Sequence, residues 1–437
     1  MCDACGRSGH VPLLDGPGNT EATPRKFAAL RNRDCRPYLF GGALAMMADN
    51  VEHVITYWVL WQTFHSEALV GFQVISHWVP FLLFSVYFGG LADRFDCRRV
   101  IQAGQALFIF VSLAWGVLFL TDSLQIWLAC VLLVLHGMAG ALWGPAEQLM
   151  LHDFVEPVDL PSAVRLNATF KSLGILCGPV VGSALLLGLG PTNGIFVNAA
   201  IYLPLTLFLF RTRFTGHLRD MGERRPRIGL RDAVATLRQV RNNHTLTSMI
   251  ILAGLGSFFI GASLQAVMPE FAGQIGASGA GATTGGAYGA LLFATGAGGV
   301  LGGLALEATG WIPLTVRAAL VSTAVYGVAI LGFALTHSYP LALLLLFLAG
   351  VANLASMSIG QTVVQLEAPP EQRGRIIGVF GMSAQGLRAG SGLTVGLLGV
   401  LVGIRSSLGL SAAALCLGVL LTALYVLRPG RFARVKV

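Results

Sequence analysis

Asp49, Glu52, His53 and Thr56 fall within nine residues, ADNVEHVIT. Residues three and four apart share a helix face, so a helix here carries all four on one stripe, with Val51, Ile55, Val59 and Leu60 in other directions. Two carboxylates beside an imidazole suit proton transfer, because imidazole titrates near neutrality and a membrane-embedded carboxylate can relay protons. They also suit a first-row metal ion, which imidazole and carboxylate both ligate. A structural reading stands beside these two, in which Asp49 bonds His53 one turn on and the group is a polar knot.

The surroundings narrow the choice. The chain has 437 residues, 54% hydrophobic and 11% charged, where a soluble domain carries about 25% charged residues. It reads as an all-α integral membrane protein, each span satisfying its own backbone. A charge facing lipid at mid-bilayer costs roughly 2.5–3.5 kcal/mol. The acidic stripe must therefore face protein or a water-filled cavity.

A span needs about 17–25 apolar residues. That ruler gives twelve, at approximately 38–64, 70–92, 100–121, 124–146, 164–188, 191–212, 245–270, 284–306, 313–335, 339–361, 374–402 and 404–427. The longest connector, Arg211–Asn243, divides them six and six. With both ends cytoplasmic, 26 of the 29 Lys and Arg lie in the tails and inner loops, as the positive-inside rule requires. Lys171, Arg388 and Arg405 are the exceptions, and the net charge of +8 marks topology rather than nucleic acid. The expected units are a disordered cytoplasmic tail 1–37, without the short apolar core of a secretory signal, a six-helix bundle 38–212, a central loop 213–243, a second bundle 244–428 and a tail 429–437. In the central loop Ile228, Leu230, Val234, Leu237 and Val240 form an apolar stripe flanked by Arg231, Arg238 and Arg241, a helix suited to lie on headgroups as a tether.

The halves echo each other. Gln148 and Gln361, and Pro157 and Pro370, are each 213 positions apart; the pairs Gly89–Asp93 and Gly303–Glu307 repeat at 214. A duplicated six-helix unit flanking a midplane site is an architecture of secondary transporters.

GGLADRFDCRRV, between spans 2 and 3, resembles the loop signature of the major facilitator superfamily in Gly89, Asp93, Arg94, Arg98 and Arg99. Asp96 replaces the signature's second Gly, a change expected to tighten or retune the turn. More finely, GPAEQLMLHDFVEPVDLPSAVRLNATF looks like the corresponding region of enterobactin exporters and macrolide efflux pumps, a branch that implies proton-driven export of an amphipathic or chelating molecule. The resemblance implies that spans 1, 4, 7 and 10 line a central cavity. It also implies a cytoplasmic latch, with Asp93 against the start of span 11 near Gly374–Ile376, where free N–H groups favour an anion, and Arg94 or Arg98 paired with Glu147.

On this reading Asp49 and Glu52 carry protons, Glu52 first, with His53 tuning or sharing them. Thr56, Lys171, Gln265, Asn353 and Arg388 supply the substrate cavity, helped by Ser356 and Gln361, and Arg388 or Lys171 can pair with the acids or hold an anionic group. Lys171 can also snorkel to the interface. Trp58, Trp61, Trp78 and Trp143 belong to cavity walls or the interfacial belt. His77 and His136 read as hydrogen-bonded packing residues, though with the acidic stripe they allow a transition-metal site. Cys2 and Cys5 with His10 offer half a zinc site without the second ligand pair, and the seven cysteines form no disulfide framework. No enzyme chemistry, cofactor or resident metal is called for, and no phosphate loop for an ATP-driven pump is present.

The expectation is thus a monomeric inner-membrane exporter exchanging a small molecule for protons. Its alternatives are a nutrient symporter, a transition-metal exporter and, in another class, a non-transporting receptor or scaffold.

Overall fold

The computed structural model describes residues 26–217, 230–276, 284–310 and 313–426. It is all-helical there. A short helix α1 (Ala28–Arg31) precedes α2 (Cys35–Phe64), which is span 1, and α3 (Glu67–Arg94), α4 (Cys97–Leu120) and α5 (Ile126–Phe154) follow as spans 2 to 4. Spans 5 and 6 are carried by α6 (Leu160–Ile201) and α7 (Leu203–Arg211). Within α6 the helix breaks at Gly190, where φ is 78° and only glycine is unstrained, and Pro191 starts the next helix.

An interhelical segment, α8 (Leu230–Asn242), leads into the second half. There α9 (His244–Phe259) and α10 (Ser263–Phe271) share span 7, while α11 (Thr284–Thr309), α12 (Val316–Leu335) and α13 (Tyr339–Glu367) are spans 8 to 10. Span 11 is divided among α14 (Arg373–Gly381), α15 (Arg388–Ser391) and α16 (Leu398–Val402), and α17 (Ile404–Val426) is span 12. Among the described residues nine segments are long and apolar enough to cross a bilayer, one of them, Pro157–Arg211, holding two spans. The charge-bearing α2 and the broken span 11 complete the twelve.

Side chains set the helix starts. Ser66, Asp96, Asn243 and Thr315 each accept a backbone N–H from the first turn that follows, satisfying groups that have no partner inside the helix. Span 11, expected over 374–402, is interrupted: π-helical turns at Met382–Gly386 and Gly392–Leu397 flank α15, which carries Arg388. Such turns add a residue to the helical repeat and concentrate at functional sites. The tail also differs from expectation in its final part, since the Phe27 amide donates to Glu307 at 2.8 Å and α1 follows; residues 1–25 lie outside the described residues, as does Ile228 of the amphipathic stripe.

Hydrogen bonds and ion pairs join the halves at the end bearing the basic loops. Asp93 of α3 accepts from the Gly374 and Arg375 amides at 2.5 and 3.0 Å. Glu307 of α11 pairs with Arg165 at 2.9 Å and accepts from the Ser162 hydroxyl. Gln365 donates to Gln148 at 3.0 Å. At Gly89 the approach is so close that a Cβ would strike the Gly374 carbonyl.

Candidate functional site

The acidic stripe of α2 turns into the N-terminal half. Small residues make this possible: Gly178 of α6 lies so close to α2 that a Cβ there would strike Asn50. At Gly137 a Cβ would collide with the Ser76 carbonyl and sit 3.1 Å from the His77 Cα, so α5 and α3 touch backbone to backbone. That contact sets His136 beside His77, and both rings stand near His53 of α2. The ring centres of His53 and His77 are 4.7 Å apart, those of His53 and His136 4.9 Å, and those of His77 and His136 5.6 Å.

His136, expected as a hydrogen-bonded packing residue, is buried and finds both acids of the stripe as its partners. Its Nε2 is 2.8 Å from Asp49 Oδ1 and its Nδ1 is 2.9 Å from Glu52 Oε1. The clasp is almost sealed, with Glu52 2% and His136 4% exposed. Ser112 of α4 donates to the other Glu52 oxygen, and Asn198 of α6 donates to Ser112 at 3.4 Å. A neutral imidazole has one N–H, so bonding both carboxylates requires a second hydrogen, on the ring or on a carboxyl. The clasp therefore holds one proton more than a neutral imidazole between two carboxylates.

His53 Nδ1 lies 3.9 Å from Asp49 Oδ2, a looser approach than the local knot requires. His77 Nδ1 is buried with no hydrogen-bond partner among the described residues. Thr56 is buried and donates to the Glu52 carbonyl at 2.7 Å, so its hydroxyl serves the helix backbone rather than an open cavity.

Arg388 approaches from the other half. Its guanidinium sits 4.7 Å from the Trp78 ring centre, and Trp78 in turn lies edge-on to His77 at 4.4 Å. The Arg388 Nε is buried without a hydrogen-bond partner among the described residues. Neither this cation nor Lys171 is bonded to Asp49 or Glu52. Lys171 pairs with Glu147 at 2.6 Å, over the Trp143 ring. Gln265 is exposed and Asn353 half-buried, and neither is hydrogen-bonded to the acid–histidine cluster among the described residues.

The pairing expected between Glu147 and Arg94 or Arg98 is therefore replaced by Lys171. Arg98 bonds Asp96 at 2.6 Å and the Thr212 carbonyl at 2.6 Å, Arg99 bonds Gln102 at 2.9 Å, and Arg94 lies over the Phe95 ring. Asp96 explains the missing glycine: its φ is −57°, which needs no glycine, and its carboxylate caps α4 by accepting the Arg98 amide. Ser112 and Asn198 escaped the sequence reading, since single polar residues in apolar runs carry no periodic signal.

The family model of the Major Facilitator Superfamily matches residues 38–391. The chain belongs to the Major Facilitator Superfamily. Among solved structures, this Major Facilitator Superfamily member is similar in fold to the human organic anion transporter MFSD10 (TETRAN), with TM-score 0.70 and 17% identity, covering 90% of this chain and 99% of that one. It is also similar to a bacterial homologue of the iron transporter ferroportin in an outward-facing state, with TM-score 0.67, 16% identity and the same two coverages. The E. coli fucose:proton symporter FucP gives TM-score 0.66 at 12% identity, over 89% of this chain and 97% of its own. At these identities the likeness is one of fold. Among curated proteins, the staphyloferrin A transporter of Staphylococcus aureus (strain NCTC 8325 / PS 47) is 21% identical over 151 residues, which is 34% of this chain and 38% of that transporter. The protein is a multi-pass membrane transporter, not an enzyme.

Proposed function

We propose that this transporter is a proton-coupled exporter of a small chelating or amphipathic molecule bearing an anionic group, residing as a monomer in the cell membrane with both ends cytoplasmic. The observation that carries the coupling is the His136 clasp. It joins two buried carboxylates only while it holds an extra proton, so losing that proton breaks one of its two bonds and changes how α2 and α5 are tied. Glu52 and Asp49 are the proton-carrying groups on this reading, His136 the shared partner, and His53 a neighbour that tunes them.

Arg388 supports the anionic substrate. A guanidinium held against an aromatic face, with its buried Nε unpartnered among the described residues, leaves donor capacity for a carboxylate or phosphate. The Asp93 and Glu307 ties close the end with the basic loops, which supports an outward-facing state when that end is cytoplasmic. Export from the cytoplasm and the kinship to siderophore and macrolide efflux rest on the loop 4–5 resemblance, with the partial staphyloferrin A transporter match in support of a chelating cargo.

The test uses liposomes holding the purified protein and a pH dye. Candidate siderophores and amphipathic drugs are added and proton movement is followed for wild type and Glu52→Gln. Substrate-dependent proton flux in wild type, lost in the variant, is the expected result. Substrate crossing without proton movement would make the protein a uniporter, and proton influx alongside substrate uptake would make it a symporter.

A further inference from the structure

We propose that the acid–histidine cluster is a binding site for one divalent first-row transition-metal ion, held by Asp49, His53, His77 and His136. Each of the four offers a ligand atom, and these atoms all lie within 4.8 Å of one another. They come from three helices, α2, α3 and α5, the last two touching backbone to backbone at Gly137. Nitrogens about 2.0–2.1 Å from a tetrahedral ion stand about 3.3 Å apart, so a contraction of at most about 1.5 Å closes the site.

Two further features separate this cluster from a polar knot. His77 Nδ1 is buried and has no partner among the described residues. A buried polar atom left unsatisfied calls for an explanation, and an ion supplies one. Second, His136 is already oriented as a ligand. One ring nitrogen faces Asp49 and the cluster, while the other is held by Glu52, itself fixed by the Ser112 hydroxyl. A histidine ligand nearly always bonds its other ring nitrogen to a carboxylate or carbonyl, and that partner matters almost as much as the ligand. In the ion-bound form His136 Nε2 and Asp49 exchange their mutual hydrogen bond for bonds to the metal, and Glu52 stays where it is.

The donor set selects the ion class. Three imidazoles and one carboxylate suit zinc, cobalt, nickel, copper or ferrous iron; magnesium and calcium call for all-oxygen shells. The inference deepens the transport reading by naming a metal ion as a cargo or a bridge to a chelating one. Binding is measured without flux, so either reading can fail alone.

The experiment titrates cobalt chloride into the full-length protein, purified in detergent and stripped of metal with EDTA. Wild type is expected to take up one cobalt per chain, with the intense visible absorption of four-coordinate Co(II). His53→Ala and His77→Ala are expected to weaken binding at least tenfold and Glu52→Gln about tenfold. Cys2→Ser/Cys5→Ser is expected to leave the signal intact. Where an alanine variant does not elute as wild type does, His53→Asn or His77→Gln takes its place. Absence of stoichiometric cobalt binding by wild type overturns the proposal without any variant. So does an unchanged spectrum and affinity in both histidine variants, and so does loss of the signal in Cys2→Ser/Cys5→Ser alone.

Discussion

Asp93 and Glu307 hold equivalent places in the two halves, 214 positions apart, and each reaches across to the start of the other half's fifth span. Asp93 accepts from the Gly374 and Arg375 amides at the start of α14; Glu307 binds Ser162 and Arg165 in the first turns of α6. Helix starts expose unpaired N–H groups and a partial positive charge, which a carboxylate stabilises. Carboxylates at repeated positions thus tie the halves twice at one end, Asp93 through backbone amides and Glu307 through the Ser162 and Arg165 side chains.

Neutralising either carboxylate should loosen that closure. Asp93→Asn keeps a hydrogen-bond acceptor but loses the charge, and each charge-assisted bond is roughly twice as strong as a neutral one. We expect transport to fall about tenfold, an energy of about 1.4 kcal/mol, with insertion unchanged. Glu307→Gln should fall further, since it also leaves Arg165 without its charge partner. Flux normalised to protein in the membrane decides; normal flux in both variants would remove the latch.

Gly89 makes a sharper demand. Any Cβ there strikes the Gly374 carbonyl, and backbone cannot swing aside as a long side chain can. Gly89→Val should force α3 and α14 apart. Spin labels at the exposed positions Phe95 and Glu371, read by double electron–electron resonance, are expected to shift to longer distances. An unchanged distribution would mean that the contact is not part of the closed state.

Lys171 and Glu147 make a pair of unequal exposure, the carboxylate only 1% exposed by side chain and the ammonium 22%. Removing Lys171 strands the buried charge, a change that costs about 3–5 kcal/mol for a fully buried pair and less here, where water reaches the lysine. Thermal unfolding in detergent should show Lys171→Ala markedly destabilised and Lys171→Ala/Glu147→Ala closer to wild type. If the double variant is worse than the sum of the singles, the pair is not the source of the effect.

Arg388 predicts the opposite balance. Its buried Nε has no partner among the described residues to lose, so Arg388→Met should leave the unfolding temperature unchanged or raise it. Substrate-dependent flux should nonetheless fall at least tenfold, the effect of one lost charge-assisted bond of about 1.5–3 kcal/mol. A large loss of stability with normal substrate affinity would make Arg388 a structural residue.

The sequence by itself determined much of this. Composition and span length established a helical membrane protein, and the long central connector divided its spans. The loop signature and the 213–214 repeat pointed to the superfamily, because these features are local or periodic in the chain. The stripe Asp49, Glu52 and His53 was legible for the same reason, since three- and four-residue spacing defines a helix face. Only the tertiary structure decided what that stripe meets. His136 stands 87 positions from Asp49 and bonds it, Lys171 takes the Glu147 that the loop arginines were expected to hold, and Arg98 turns to its near neighbour Asp96. Partners across helices depend on rotation and depth, which small-residue contacts such as Gly137 against Ser76 set, and no one-dimensional period records them.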